Sequence, residues 1–308
     1  MGSAHPIWTD AAQAFVMIGG MAVVLAAAWA RVGNPVVLWG ALGEVDPALL
    51  QWVPNDLSFG FGTYVAGFVF GGFGVVGQPH ILARSMAIES PEAVRPARRI
   101  YFAWYLPFSV LAVTVGLYSR VLLPGLAAGV TESAGVAAQT AELAFPQMTI
   151  TLLPDALVGL VIAGLFSATM STADSQVLSC SAAVTQDVAP RWRESYFASK
   201  ASTTAITLIA LTIALSATEG VFDLVLGAWS ALGASLGPLV LLRVFGRHVP
   251  TRIAVTMMIS GLATVWLWDH SPWSDDVFKL FPGMAVPLLV YVAANLWRSV
   301  VTSRLRSP

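Results

Sequence analysis

Long apolar runs, each near 20 residues and almost free of charged side chains, recur along the whole chain of 308 residues. A run of this length and composition is typical of a helix that crosses the hydrocarbon core of a bilayer. The pattern therefore predicts an all-α polytopic membrane protein. We predict eight spanning helices, over residues 7–30, 58–81, 99–122, 154–185, 197–217, 221–244, 251–268 and 281–301.

The longest connection, residues 123–153, lies between the third and the fourth run. The apolar residues of its segment AAQTAELAFPQM (137–148) recur at helical spacing, which predicts a short amphipathic helix on the membrane surface. No soluble domain is visible at either end of the chain. We therefore predict one transmembrane domain over residues 1–308.

Composition supports the membrane assignment and excludes several other classes. Hydrophobic residues make up 56% of the chain and charged residues only 11%, against about 25% charged residues in soluble domains. The net charge is −1 and there is no basic tract, so nothing indicates a nucleic-acid partner. The single cysteine, Cys180, excludes an internal disulfide. The expected surroundings of the protein are therefore a lipid bilayer.

The distribution of positive charge predicts the orientation. Thirteen of the 16 Lys and Arg residues lie in four segments, 81–100, 186–200, 243–252 and 298–306. Short loops rich in Lys and Arg stay on the cytoplasmic side of a membrane. We predict a multi-pass protein of the cell (inner) membrane with both termini in the cytoplasm. An even number of spans agrees with this prediction, because it puts both termini on the same side.

The fourth run contains an unusual polar stretch, GLFSATMSTADSQVLSCS (164–181), with seven hydroxyl side chains and the carboxylate of Asp174. Helical spacing puts five of its residues on one face, namely Ala168, Ser171, Thr172, Ser175 and Ser179. A carboxylate at membrane depth costs at least ~2.5 kcal/mol and normally faces a cavity, a partner or an ion. Two interpretations remain open: hydroxyls that help helices to pack, or an oxygen-lined cation site, for sodium or for protons.

Four segments resemble the sodium/solute symporter family, and bacterial sodium/proline symporters in particular. The stretch around Met170 is similar to the eighth core helix, in which a small-x-x-Met-Ser-Thr pattern supplies sodium ligands. GQPHILARSMAIES (77–90) with ARRI (97–100) resembles the end of the sixth core helix and the loop after it. IWTDAAQAFVM (7–17) resembles the fifth core helix, and LGAWSALGASLGPLVLL (226–242) the tenth.

The resemblance implies a sodium site on the predicted fourth span. Its ligands would be the backbone carbonyl of Ala168 and the hydroxyls of Ser171 and Thr172, completed by carbonyls of the first core helix. This is the only metal ion that the resemblance implies, and it implies no other cofactor.

Some family members have a second cation site, in which an aspartate of the fifth core helix meets hydroxyls of the eighth. Asp10 matches that aspartate, and Ser171 and Ser175 match hydroxyl positions. Asp174 stands where such members carry another hydroxyl, so the resemblance implies an altered second site or none. A different interpretation of Asp10 is a carboxylate favoured by the dipole at a helix N-terminus.

For the solute, Gly71, Val75 and Pro79 match positions of the substrate pocket in the sixth core helix. Proline carriers have aromatic residues at the first two, so this chain departs from them. Glycine-mediated helix packing is an alternative role for the glycines. The segment that resembles the tenth core helix would serve as a gate that can bend. Its Trp229 is either a packing or a lipid-facing aromatic residue.

The family has a five-plus-five inverted repeat, with ion and solute held between the two repeats. The resemblance begins in the fifth core helix, so we expect the first repeat, and with it part of both sites, to lie outside these residues. The missing helices would belong to the same protein or to a separate chain.

The function that the resemblance implies is sodium-coupled symport of a small organic solute, such as proline or a related amino acid, by alternating access. Three alternatives remain: a transporter-like sensor module, a non-functional truncated remnant, and an intramembrane enzyme that uses Asp10 and Asp174. No hydrolase, metalloprotease or nucleotide-binding motif is present in the sequence. We therefore predict a secondary active transporter and not an enzyme.

Overall fold

The computed structural model describes residues 4–53, 57–128, 140–218, 220–274 and 276–304, and regular structure within these ranges is entirely helical. Among the residues so described, eight helical segments are long and apolar enough to cross a membrane, which confirms the polytopic all-α prediction. These segments are Trp8–Val32, Gly60–Gly77, Pro91–Leu122, Asp155–Val188, Tyr196–Ser216, Val221–Val244, Thr251–Asp269 and Leu280–Trp297.

The α-helices within the described ranges are numbered here in chain order. They are α1 (Ala4–Val32), α2 (Pro35–Val45), α3 (Gly60–Phe73), α4 (Pro79–Met86), α5 (Val94–Leu122), α6 (Pro124–Ala128), α7 (Ala144–Leu152), α8 (Asp155–Ala183), α9 (Tyr196–Ser216), α10 (Val221–Val244), α11 (Thr251–Asp269) and α12 (Leu280–Arg304).

The predicted second span, 58–81, is not one continuous helix. Helix α3 ends at Phe73, a 3₁₀ turn follows over Gly74–Gly77, and α4 begins at Pro79. Proline cannot donate a backbone hydrogen bond and its ring clashes with the preceding helical turn, while the residue before it is pushed to extended backbone. Gln78 has that extended backbone, with φ −91° and ψ 109°. We call Gly74–Gly77 the helix break.

Two connecting segments contain helices. Helix α2 was not predicted from the hydropathy pattern; it begins after Asn34, whose side chain accepts hydrogen bonds from the backbone N–H groups of Val36 and Val37 at 3.0 and 3.1 Å. Asparagine followed by proline is a favoured start for a helix. In the second connection α7 overlaps the predicted amphipathic helix, of which residues 137–139 lie outside the described residues.

The chain divides into two compact units. The first unit comprises Met1–Gln51 and Ile88–Val221, and the second comprises Trp52–Ala87 and Phe222–Pro308. The prediction of a single transmembrane domain stays a prediction.

In the first unit α1 packs against α5 and α8, and α8 packs against α9. The centre of this packing is a cluster of buried apolar side chains that includes Val24, Leu42 and Tyr118. The hydroxyl of Tyr118 donates a hydrogen bond to the carbonyl of Gly33 at 2.8 Å. A fully buried phenol requires such a partner, because an unpaired buried hydroxyl is costly.

In the second unit α12 packs against α11 and α3. Ala234, Val265, Leu280 and Met284 form its buried apolar cluster. The indole Nε1 of Trp268 donates to the carbonyl of Val277 at 2.9 Å, which ties the end of α11 to the segment before α12.

Candidate functional site

Helices α1 and α8 run antiparallel in the first unit and meet in four layers. Residue numbers rise along α1 and fall along α8 in steps of three or four, as expected for two facing helical surfaces. The two layers nearest the start of α1 are polar and the next two are packed through glycine. The contacting pairs, in order along α1, are Asp10 with Ser171, Gln13 with Ser167, Val16 with Gly164, and Gly20 with Val161.

The first polar layer brings together two predicted site residues. The hydroxyl of Ser171 donates to Oδ1 of Asp10 at 2.5 Å, within the range of charge-assisted O–H···O⁻ bonds. Asp10 is the seventh residue of α1, whereas the helix dipole acts mainly within the first turn. The neighbouring serine therefore accounts for the position of this carboxylate better than the dipole does.

The second polar layer contains two residues that were not predicted. Nε2 of Gln13 donates to the hydroxyl oxygen of Ser167 at 2.8 Å. Gln13 lies three residues after Asp10, so both side chains are on the face of α1 that meets α8. The sequence signal was that 3-residue spacing of polar side chains within an apolar helix.

Other hydroxyls of α8 bond to the backbone of their own helix. Oγ1 of Thr172 donates to the carbonyl of Ala168 at 3.1 Å, and Oγ of Ser175 donates to the carbonyl of Thr172 at 2.9 Å. Oγ1 of Thr169 donates to the carbonyl of Phe166 at 2.8 Å. The oxygens of Ala168 and Thr172 are thus close neighbours on the helix, as ligands of one ion must be.

Asp174 differs from Asp10. Its side chain is exposed on α8, and among the described residues it has neither a hydrogen bond nor an ion pair. Asp10 on α1 thus has a side-chain hydrogen bond to α8, whereas Ser175 on α8 bonds to the backbone of its own helix.

The predicted solute residues lie at and beside the helix break in the second unit. Gly71 is in the last turn of α3, Val75 is within the break and is 37% exposed, and Pro79 is the first residue of α4. A Cβ atom at Gly71 would lie 3.0 Å from Cδ1 of Phe278. The ring of Phe278 therefore fills the space that a larger side chain at position 71 would take.

An aromatic residue of α10, Trp229, contacts the helix break. Nε1 of Trp229 donates to the carbonyl of Gly71 at 3.0 Å, and a Cβ atom at Gly74 would lie only 2.1 Å from that nitrogen. Of the two interpretations of Trp229, the structure favours packing, and the indole also donates a hydrogen bond to Gly71.

Gln78 was not predicted as a site residue. It is 3% exposed, and its Nε2 donates to the carbonyls of Trp229 and Gly74 at 3.2 and 3.3 Å. An amide between glycine and proline in an apolar run was the available sequence signal.

Comparison with known proteins gives one family and a set of related transporters. The sequence model of the sodium:solute symporter family matches residues 2–261. The high-affinity proline transporter PutP of Bacillus subtilis is 30% identical over 92% of this chain and 59% of its own length. The osmoregulated proline transporter OpuE of the same organism is 28% identical over 96% of the chain and 59% of its own length. The sodium/proline symporter of Salmonella typhimurium is 29% identical over 97% and 59%. The chain thus spans 59% of the length of these curated relatives.

Proposed function

Because the chain belongs to the sodium:solute symporter family, we propose that its function is sodium-coupled symport of a small organic solute by alternating access. The observation that carries the proposal is the oxygen-rich face of α8. Its serine Ser171 bonds to the carboxylate of Asp10 on the neighbouring helix, while Thr172 and Ala168 present adjacent oxygens.

The first sodium site consists of the carbonyl of Ala168 and the hydroxyls of Ser171 and Thr172. A hard cation requires several oxygen ligands, and these three supply only part of a coordination shell. The resemblance assigns the remaining ligands to carbonyls of the first core helix, which lies outside the 308 residues.

The second cation site consists of Asp10 with Ser175, and Asp174 lies at its edge. The negative charge of Asp10 favours a cation at this end of the α1–α8 pair, and its bond to Ser171 links the two ion sites through one hydroxyl. A cation that binds Ser171 at the first site would then change the hydrogen bond between Ser171 and Asp10 at the second site.

The solute site is at the helix break, around Gly71, Val75 and Pro79. Discontinuous spanning helices expose backbone groups where transporters bind solutes, and α3 and α4 form such a discontinuous helix. The relatives are named as proline transporters and sodium/proline symporters, which supports proline or a related amino acid. Proline carriers have an aromatic residue at the position of Gly71, so the wall of this pocket differs from theirs there.

The positive-charge asymmetry supports an inner-membrane orientation with both termini in the cytoplasm. The loop that follows α4 would then be cytoplasmic, and α2 and α7 would be on the outer side. Helix α1, which carries Asp10, would then cross from the cytoplasmic side.

The test is the sodium concentration that gives half-maximal solute uptake, measured in proteoliposomes that contain the protein with its first core helix. Ser171→Ala and Thr172→Val each remove a proposed ligand and should raise that concentration roughly 5- to 150-fold, the usual range of a coupling free energy. Thr169→Val is the matched control, because its hydroxyl also bonds to its own helix.

Equal effects of all three substitutions would show that the hydroxyls serve only helix packing. Uptake that follows an imposed proton gradient and ignores sodium would replace sodium by protons as the coupling ion.

A further inference from the structure

The second unit holds a buried side-chain amide that the proposed solute and ion sites do not use. Gln78 is 3% exposed, and both of its donated hydrogen bonds go to backbone carbonyls. A buried amide is costly unless its donors are paired. Its two partners, Gly74 and Trp229, belong to different helical segments, so the amide joins them.

Trp229 takes part in hydrogen bonds on both sides of the helix break. Its indole N–H bonds to Gly71, which precedes the break, and its backbone carbonyl accepts from Gln78, which follows the break. One residue of α10 thus satisfies a carbonyl before the break and pairs with an amide after it. Backbone groups freed within a membrane must find such partners, because no water is available to them.

The backbones themselves are in close contact at the same place. A Cβ atom at Gly77 would lie 2.5 Å from the carbonyl oxygen of Leu232 and 2.6 Å from Cα of Gly233. A Cβ atom at Gly233 would in turn lie 2.9 Å from Cα of Gly74. Glycine is required at these positions because backbone meets backbone.

We infer that Gln78 and Trp229 are positioning residues that fasten the helix break to α10, so that the break and α10 move together when the solute site opens and closes. We call this pair the break latch. Separating α10 from the break would break two hydrogen bonds, Gln78 to Trp229 and Trp229 to Gly71, and open a glycine-lined seam, whereas joint movement breaks none. The role in transport rests on the proposed function; the latch itself does not.

The latch is tested with a buried thiol. In a Cys180→Ser background, Ser230→Cys places a thiol on the buried face of α10, where the serine is fully buried. N-ethylmaleimide reaches such a thiol only after local opening. Trp229→Phe removes the indole donor and Gln78→Met removes the amide. Trp268→Phe is the matched control, since it removes an indole-to-carbonyl bond of the same kind elsewhere in the second unit.

Trp229→Phe should label about 2- to 12-fold faster than the parent, the factor that corresponds to the net loss of one neutral hydrogen bond. Gln78→Met should label at least as fast as Trp229→Phe, and Trp268→Phe at the parental rate. Parental labelling rates for both latch variants, or equal acceleration by Trp268→Phe, would overturn the latch.

Solute uptake by the same proteins separates the latch from the proposed function. Trp229→Phe should lower the maximal rate of uptake and leave the half-saturating sodium concentration unchanged, because it removes no proposed sodium ligand. A general loss of folding would reduce the main size-exclusion peak of the latch variants and of the control variant alike. Absence of sodium-dependent uptake in the parent would refute the proposed function while the labelling result still decides the latch.

Discussion

Gly77→Ala is the most informative single substitution in the second unit, because the three atoms nearest to the added methyl group would all belong to the backbone. Its Cβ would lie 2.5 Å from the carbonyl oxygen of Leu232, 2.8 Å from the carbonyl carbon and 2.6 Å from Cα of Gly233. A side chain in that position could rotate away, but the backbone of a packed helix cannot. Either the helix break or α10 must shift.

The size of the shift sets the expected cost. Ordinary carbon–oxygen contacts are about 3.3–3.6 Å, so the two backbones must separate by roughly 1 Å. Overpacking of this kind costs about 1–3 kcal/mol, and replacing glycine by alanine returns about 0.4–1 kcal/mol by restricting the unfolded chain. We therefore expect the free energy of unfolding to fall by up to about 2.5 kcal/mol, with a central value of about 1.3 kcal/mol.

Gly72→Ala is the matched control, five residues earlier. Glycine 72 is helical and exposed, and a Cβ atom there would have nothing within 4 Å. The control should stabilise the protein by about 0.5–1 kcal/mol, since only the helix propensity changes. Both values come from reversible unfolding in mixed detergent micelles. A Gly77→Ala protein that is as stable as Gly72→Ala would refute the close backbone approach and with it the seam on which the break latch depends.

Two further predictions concern the first unit and the orientation. Gly164→Ala should lower the free energy of unfolding by less than Gly77→Ala does. Its Cβ would lie 2.5 Å from Cγ1 of Val16, and that side chain can rotate away. Unfolding measurements check this against Gly159→Ala, where a Cβ atom has open space. In a Cys180→Ser background and intact cells, Ala48→Cys should react with a membrane-impermeant thiol reagent and Glu89→Cys should not; the opposite pattern would invert the orientation.

The eight spans were predictable because the bilayer imposes a length and a composition on every helix that crosses it. The break in the second span was not predicted, because mean hydropathy stays high through GGFGVVG and carries no information on backbone conformation. Pro79 marked the place, but a proline is also tolerated in continuous spanning helices. Helix α2 was missed for the opposite reason: its signal is a local cap at Asn34 and not an apolar run of spanning length.

The candidate ion site was predictable only in part. Helical spacing put Ser171, Thr172 and Ser175 on one face, but the period of one helix carries no information on which helix it meets. The pairing of Asp10 with Ser171 followed from resemblance, and the pairing of Gln13 with Ser167 was not predicted, because it depends on the register between α1 and α8. Sequence spacing within a single helix does not determine that register.

The register has a physical cause that lies in the apolar layers. A serine in a helix can bond to its own backbone or to a neighbour, and the distance to the neighbouring helix decides between the two. Val16 packs on Gly164 and Val161 packs on Gly20, so α1 and α8 approach closely about two to three turns from Asp10. That approach brings Asp10 within hydrogen-bonding distance of Ser171, whereas Thr172 and Ser175 bond within α8. The chemistry of the polar layers therefore depends on glycines that bind no ion themselves.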